Sequence, residues 1–267
     1  MANNSRIGVY DSGVGGLSVL KELKQALPRE RFLYLADTAR VPYGNKSREE
    51  IIRINKEILD YFSKKFMKMV IIACGTSSAI AYPIFKNAYK FPLVSLIEPG
   101  ANAAIQATRN GKIGLLATEG TVNSGAYQDA IMMLKGDAQT FSVACPAFVP
   151  LIEAGNLNSI EMKASVKEYL APLLQNGVDT IILGCTHYPH IKKLIQEAAG
   201  SGVTLIDPAQ GAAALAREII TRRQELNFVN LQDNWDEFVV TGSPNTFQSI
   251  GSRLLGREIP AVEQIIL

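Results

Sequence analysis

Residues 7–15 read IGVYDSGVG, a short β-branched run that ends at Asp11 and breaks into a glycine-rich turn before the helical pattern of Leu17 to Leu27. The same design returns as IGLLATEGT from Ile113. Two more pairs follow in the same order: Val41-Pro42 with Val149-Pro150, and VIIAC ending at Cys74 with TIILGC ending at Cys185. The offsets, 113 − 7, 149 − 41 and 185 − 74, are 106, 108 and 111, a drift that a few short insertions explain. The chain therefore reads as two similar halves, each carrying one cysteine just past an equivalent strand.

Working outward, the runs FLYLA, MVIIA, KIGLLA, TFSVA, TIILG, VTLI and EFVV predict further strands, separated by helical patterns such as Ile160 to Leu170. This alternation predicts an α/β protein: two similar, doubly wound, mainly parallel-sheet domains related by pseudo-symmetry, with the active site in the cleft between them. The expected limits are 1–95 plus 208–267 for the first domain and 96–207 for the second. Ser47 followed by Glu50 predicts a capping box at a helix start, and the segment before it, Asp37 to Lys46, reads as a surface loop.

The chain has 267 residues, 47% hydrophobic and 19% charged, enough to bury a sizeable core. A formal charge of +2 gives no field that would favour nucleic acid or an anionic membrane, so a small-molecule partner is expected. Met1 to Arg6 is polar and no apolar stretch is long enough to span a bilayer, which predicts a cytoplasmic protein. Three widely spaced cysteines suit no disulfide framework.

In a parallel sheet, Cys74 and Cys185 fall at the carboxyl ends of strands, where ligands bind. Two facing halves would aim both thiols into one cleft. A thiol can act as general base and, once protonated, as general acid. One on each side of a carbon centre can remove a proton from one face and return it to the other, inverting the configuration without metal, nucleotide or pyridoxal cofactor. Hydroxyls at strand ends, Ser12, Thr76, Thr118, Thr121 and Thr186, could steady the developing charge. Asp11 and Glu153 give each half one carboxylate. His187 follows Cys185 closely and is a candidate assistant; His190 is assigned to the next helix and Cys145, within SVACPAF, to packing.

Two other readings use the same residues. Gly13, Gly15 and Gly16 after a strand, with Asp37 ending the next, partly match a dinucleotide-binding turn, although the third glycine position is Ser18. Cys185, His187 and His190 could contribute to a zinc site, but no paired-cysteine motif completes it. A two-lobed receptor of the periplasmic type is disfavoured by the polar start of the chain.

The motifs YDSGVGGLSVLKEL, DTARVPYG, LLATEGTVNSGAY, FVPLIEAG, GCTHYP and LIDPAQGAA together resemble the glutamate racemases of the cofactor-independent aspartate/glutamate racemase family. The resemblance implies interconversion of L- and D-glutamate, supply of D-glutamate for peptidoglycan, and a homodimer. It implies Cys74 as the base for the D enantiomer and Cys185 for the L enantiomer, with Asp11 assisting the first and Glu153 and His187 the second. Ser12, Pro42, Tyr43, Gly44, Gly75, Thr76, Thr121 and Thr186 fall on substrate-contacting positions, as does Thr118. Gly75 departs from the asparagine usual in the family, so the contact an amide would make must come from elsewhere. A racemase of a related amino acid such as aspartate is the alternative.

Overall fold

The computed structural model describes residues 5–227 and 236–267. The polar start read at Met1 to Arg6 therefore lies mostly outside the described residues. Among the described residues there are ten strands: β1 (Ile7–Asp11), β2 (Phe32–Ala36), β3 (Met69–Ile72), β4 (Leu93–Val94), β5 (Lys112–Ala117), β6 (Gln139–Ala144), β7 (Thr180–Leu183), β8 (Thr204–Ile206), β9 (Glu237–Val240) and β10 (Val262–Gln264). They form a six-stranded sheet of order β10-β9-β2-β1-β3-β4 and a four-stranded sheet of order β6-β5-β7-β8. Every strand pairing is parallel.

The order β2-β1-β3-β4 in the first sheet is repeated as β6-β5-β7-β8 in the second. The internal repeat is thus a repeat of topology, and the chain adds β9 and β10 to the β2 edge of the first sheet alone. All eight predicted strands form. β4 and β10 escaped the sequence reading because two or three residues are too short to display a period.

Parallel strands need crossover connections, which helices supply. In the first half these are α1 (Leu17–Ala26), α2 (Arg48–Lys64), α3 (Gly75–Ile80) and α4 (Tyr82–Phe85), and in the second α5 (Ile97–Ala107), α6 (Glu119–Asn123), α7 (Ala126–Leu134), α8 (Phe148–Glu153), α9 (Ile160–Gln175) and α10 (Lys192–Ala199). α11 (Pro208–Arg222) and α12 (Pro244–Leu255) complete the set. With helices on their faces, β1, β2, β3 and β7 are buried along their whole length, which is why they read as unbroken apolar runs.

α2 buries Ile51, Ile54, Ile58, Leu59 and Phe62, a stripe at helical spacing. Its capping box is only half formed. Ser47 accepts from the Glu50 amide at 3.1 Å, but the Glu50 carboxylate turns to Lys46 at 2.6 Å, where an ion pair replaces the return bond. The helix from Ile160 runs on to Gln175, beyond the expected end at Leu170. Pro172 lies within it on an exposed face, so water can satisfy the carbonyl that proline leaves without a donor.

The chain passes from the first sheet to the second after β4 and back after β8. The helices that begin at these two crossings, α5 and α11, lie against each other. A Cβ on Gly100 would sit 3.0 Å from Pro208, and one on Gly211 would sit 3.0 Å from Pro99, so the two glycines make a close reciprocal contact. The segments leading into them, LIEPG from Leu96 and LIDPAQG from Leu205, extend the repeat beyond the three pairs read from the sequence.

Candidate active site

The ends of β1 and β3 face the ends of β5 and β7 across a cavity of about 30 Å³. Its walls are Asp11, Ser12, Val41, Pro42, Tyr43, Gly44, Cys74, Gly75, Thr76, Thr118, Val149, Gly184, Cys185, Thr186 and His187. Both thiols border this one space, Cys74 from the first sheet and Cys185 from the second. Thirty cubic ångströms hold about one or two waters, so the cleft is closed around the cysteines. A far larger groove, about 770 Å³ between α1 and α11, holds neither cysteine.

Each half contributes an acidic group. Asp11, at the end of β1, is buried; its carboxylate accepts from the Gly13 amide at 2.9 Å and from the Thr186 hydroxyl at 3.2 Å. Burial raises its pKa, against the opposing influence of His187, the Gly13 and Gly16 amides and Thr186. From the other half, Glu153 at the end of α8 lies 3.1 Å from His187 Nε2, and His187 Nδ1 lies 3.8 Å from the Cys185 sulfur. Glu153, His187 and Cys185 thus form one chain ending at a thiol. Glu153 and Thr121 are the two predicted site residues that do not line the cavity. Thr121 is buried behind Thr118, hydroxyl to hydroxyl at 3.0 Å, and Thr118 in turn reaches Thr76 at 2.9 Å across the cleft.

The two thiols have unlike surroundings. Burial and the nearby Asp11 push Cys74 up to about 12, although Ser77 hydrogen bonds oppose the rise. Burial disfavours charge on His187, but its hydrogen bonds to Cys185 and Glu153 and the charges of Cys185 and Asp11 outweigh this and raise it to about 10. Cys74 is thus held towards its protonated thiol, and the His187 ring, 3.8 Å from the Cys185 sulfur, towards its imidazolium form.

This has a consequence for stability. A group with a higher pKa folded than unfolded stabilises the protein below the unfolded value, and that contribution is lost as pH rises through the folded value. His187 should stabilise fully below its ordinary 6.5 and lose the contribution between there and about 10. In thermal melts, the gap between the wild type and His187→Gln is expected to narrow steadily from pH 7 to pH 10. A gap independent of pH would refute the assignment.

The segment Asp37 to Lys46, read as a surface loop, is an inner wall of the site. Tyr43 is buried and its hydroxyl donates to Asp37, which also accepts from Arg40 and Thr241, each at 2.7 Å. Gly44 meets the opposite half, its carbonyl accepting from the Gly120 amide at 2.8 Å. Residue patterning alone shows a solvated loop here, because an Asp-Arg-Tyr cluster has that composition; only the resemblance places Pro42, Tyr43 and Gly44 at the site.

The glycines after β1 serve the same closure. Cβ atoms at Gly15 and Gly16 would lie 2.4 Å from His187 Nδ1 and 2.6 Å from Asp11 Cβ. The space a pyrophosphate would need is filled by His187, Thr186 and Asp11, and Ser18 donates to the Thr186 carbonyl at 3.0 Å. That overturns the dinucleotide reading. Among the described residues no group of three or more His, Cys, Asp or Glu side chains is placed to hold a metal ion. His190 lies in the 3₁₀ turn Tyr188–Ile191 that precedes α10, and burial lowers it to about 4, with His187 and Lys21 adding to the fall. Cys145 is packed in the core with Phe148, Leu151 and Tyr188.

Val41, Val149 and Gly184 were missed as site residues. The signal for the valines was present, since both belong to the Val-Pro pairs that revealed the repeat.

Comparison with known proteins identifies the family and the fold. Residues 7–216 match the Asp/Glu/Hydantoin racemase family. A glutamate racemase of Rippkaea orientalis is 44% identical over 99% of this chain and 92% of that protein. The crystal structure of a glutamate racemase isoform from Bacillus anthracis superposes with a TM-score of 0.94 at 35% identity, covering 99% of this chain and 98% of that one. A Francisella tularensis glutamate racemase in complex with D-glutamate gives 0.91 at 34% identity, with the same coverage.

Proposed function

We infer the function from one premise: the chain belongs to the Asp/Glu/Hydantoin racemase family. Within that family it is a glutamate racemase, an amino-acid isomerase that works without a cofactor and interconverts L- and D-glutamate.

The reaction proceeds by two-base proton transfer. Glutamate sits with its α-carbon between Cys74 and Cys185. Cys185 takes the proton from the L enantiomer while Cys74 delivers one to the opposite face, and the roles exchange for D-glutamate. His187, held by Glu153, supplies positive charge beside Cys185 and takes up or returns its proton. Asp11 plays the corresponding part for Cys74. The high pKa of Cys74 suits it to the acid role in the closed site, and the substrate's ammonium favours its thiolate when it must act as base. Ser12, Thr76, Thr118, Thr121 and Thr186, with backbone amides such as those at Gly44 and Gly75, hold the substrate's carboxylates and steady the carbanion-like transition state. Val41, Pro42 and Tyr43 close the wall around it.

The observation that supports this most is the meeting of Cys74 and Cys185, from two different sheets, at one cavity. The cavity is too small for glutamate, so the two lobes, 1–95 plus 208–267 and 96–207, part to admit it and close to react. The enzyme is a cytoplasmic homodimer supplying D-glutamate for peptidoglycan; no helix among the described residues is long and apolar enough to cross a membrane.

Incubating the protein with L-glutamate in deuterated water tests the reading. Loss of optical rotation together with deuterium at the α-position is expected. A folded sample that does neither would refute it, and activity on aspartate alone would move the enzyme to another substrate.

A further inference from the structure

We propose that Ser77 is a positioning residue for Cys74, its hydroxyl kept unbonded until it donates to the thiolate that forms when Cys74 acts as base; this rests on the two-base reading above. Cys74 stands at the N-cap of α3, and Ser77 follows three residues later in the first turn. The Ser78 amide donates to the Cys74 carbonyl at 2.8 Å and the Ala81 amide to the Ser77 carbonyl at 2.8 Å, which fixes that turn. Both residues belong to one short segment of the first lobe, so their relation does not change when the lobes part.

Three hydroxyls follow Cys74, and two of them are engaged. Thr76 meets Thr118 at 2.9 Å, while Ser78 donates to the Ile72 carbonyl at 2.9 Å and accepts from the Leu96 amide at 3.1 Å. Ser77 is fully buried, and its Oγ has no hydrogen-bond partner among the described residues. A helical serine ordinarily turns its hydroxyl onto a carbonyl one turn back, and a buried hydroxyl left without a bond costs stability. Gly75 has no side chain to offer, so Ser77 is the hydroxyl of this turn left to answer a charge on the sulfur.

That charge has little other support. The titratable groups that face Cys74 are Asp11 and Tyr10 on β1, Tyr34 on β2, Tyr43 in the inner wall and Cys185 from the second lobe, and none of these is a cation. Burial and Asp11 disfavour the thiolate; the Ser77 amide and hydroxyl favour it. Cys185 has His187 for this purpose, and Cys74 has Ser77. A hydroxyl rotates to suit its acceptor and donates far more strongly to an anion than to a neutral group. The bond therefore strengthens as the sulfur becomes charged, which lowers the barrier to proton removal by Cys74 and leaves Cys185 untouched.

The test uses one thiol at a time. In Cys185→Ser, the Cys74 thiolate takes the α-proton, the C–H electron pair stays on carbon, the thiol trades its proton for a deuteron from deuterated water, and that deuteron returns to the same face. Adding Ser77→Ala is expected to slow this labelling by about tenfold to a hundredfold, the usual effect of losing a hydrogen bond to a charged group. Added to Cys74→Ser, the same change is expected to leave labelling through Cys185 within about twofold. Because the hydroxyl has no bond to lose in the resting protein, Ser77→Ala should melt no lower than wild type. Labelling through Cys74 within about twofold of its parent, or equal losses through both thiols, would overturn the proposal. If Cys185→Ser labels neither enantiomer while Ser77 is intact, the two-base reading fails and this role fails with it.

A crystal structure of the wild-type enzyme with bound D-glutamate gives a second measurement that does not depend on any variant folding. Ser77 Oγ within hydrogen-bonding distance of the Cys74 sulfur supports the assignment, and Oγ turned instead onto a main-chain carbonyl overturns it.

Discussion

Replacing Cys74 or Cys185 by serine is expected to lower racemisation by about 10² to 10⁴-fold, the usual worth of a positioned general acid or base. The hydroxyl is nearly isosteric with the thiol but far harder to ionise, so the cavity keeps its shape and loses one proton carrier. Glutamate enantiomers are equal in free energy, so kcat/KM must fall by the same factor in both directions for each variant. The two variants should differ in isotope exchange. Cys74→Ser retains Cys185, and in deuterated water it should label L-glutamate at the α-carbon without producing the D enantiomer. Cys185→Ser should label D-glutamate in the same one-sided way. Proton NMR of the α-position with chiral chromatography separates these outcomes. Racemisation near the wild-type rate in either single variant would end the two-base scheme.

The second large effect is expected from His187→Asn. This change removes the cation 3.8 Å from the Cys185 sulfur and leaves Glu153 without its partner. A loss of about a hundredfold in kcat/KM is expected, again equal in both directions. The primary isotope effect breaks that symmetry. Removal of the proton by Cys185 becomes the harder step, so α-deuterated L-glutamate should show a larger effect than α-deuterated D-glutamate, measured by competitive turnover. Equal isotope effects would mean that His187 does not serve Cys185 in particular.

Much of the fold was legible because parallel strands covered on both faces write themselves as continuous apolar runs, and because the repeat placed equivalent residues at a nearly constant offset. IGVYD and KIGLLA needed no structure to be paired. The repeat also carried most of the site: once Cys74 and Cys185 were equivalent strand ends, Asp11, Thr118 and Thr186 followed from the same topology. What remained hidden depends on contacts between distant segments. Residue patterning does not show that Asp37 is buried and holds Tyr43 inward, a position only the family resemblance anticipated, or that Glu50 prefers Lys46 to the Ser47 amide. The role of Gly13 to Gly16 was equally ambiguous, since a phosphate and a histidine from the far half both require glycine there. Only the placement of His187 decides between them.

The double passage of the chain between the sheets, with α5 seated on α11 through Pro99, Gly100, Pro208 and Gly211, restricts how the molecule can move. A single tether would leave the halves free to swivel; two tethers locked side by side permit a swing about the line that joins them and resist torsion across it. Opening of the proposed site would then follow one arc, and closure would bring the sulfurs back to the same alignment.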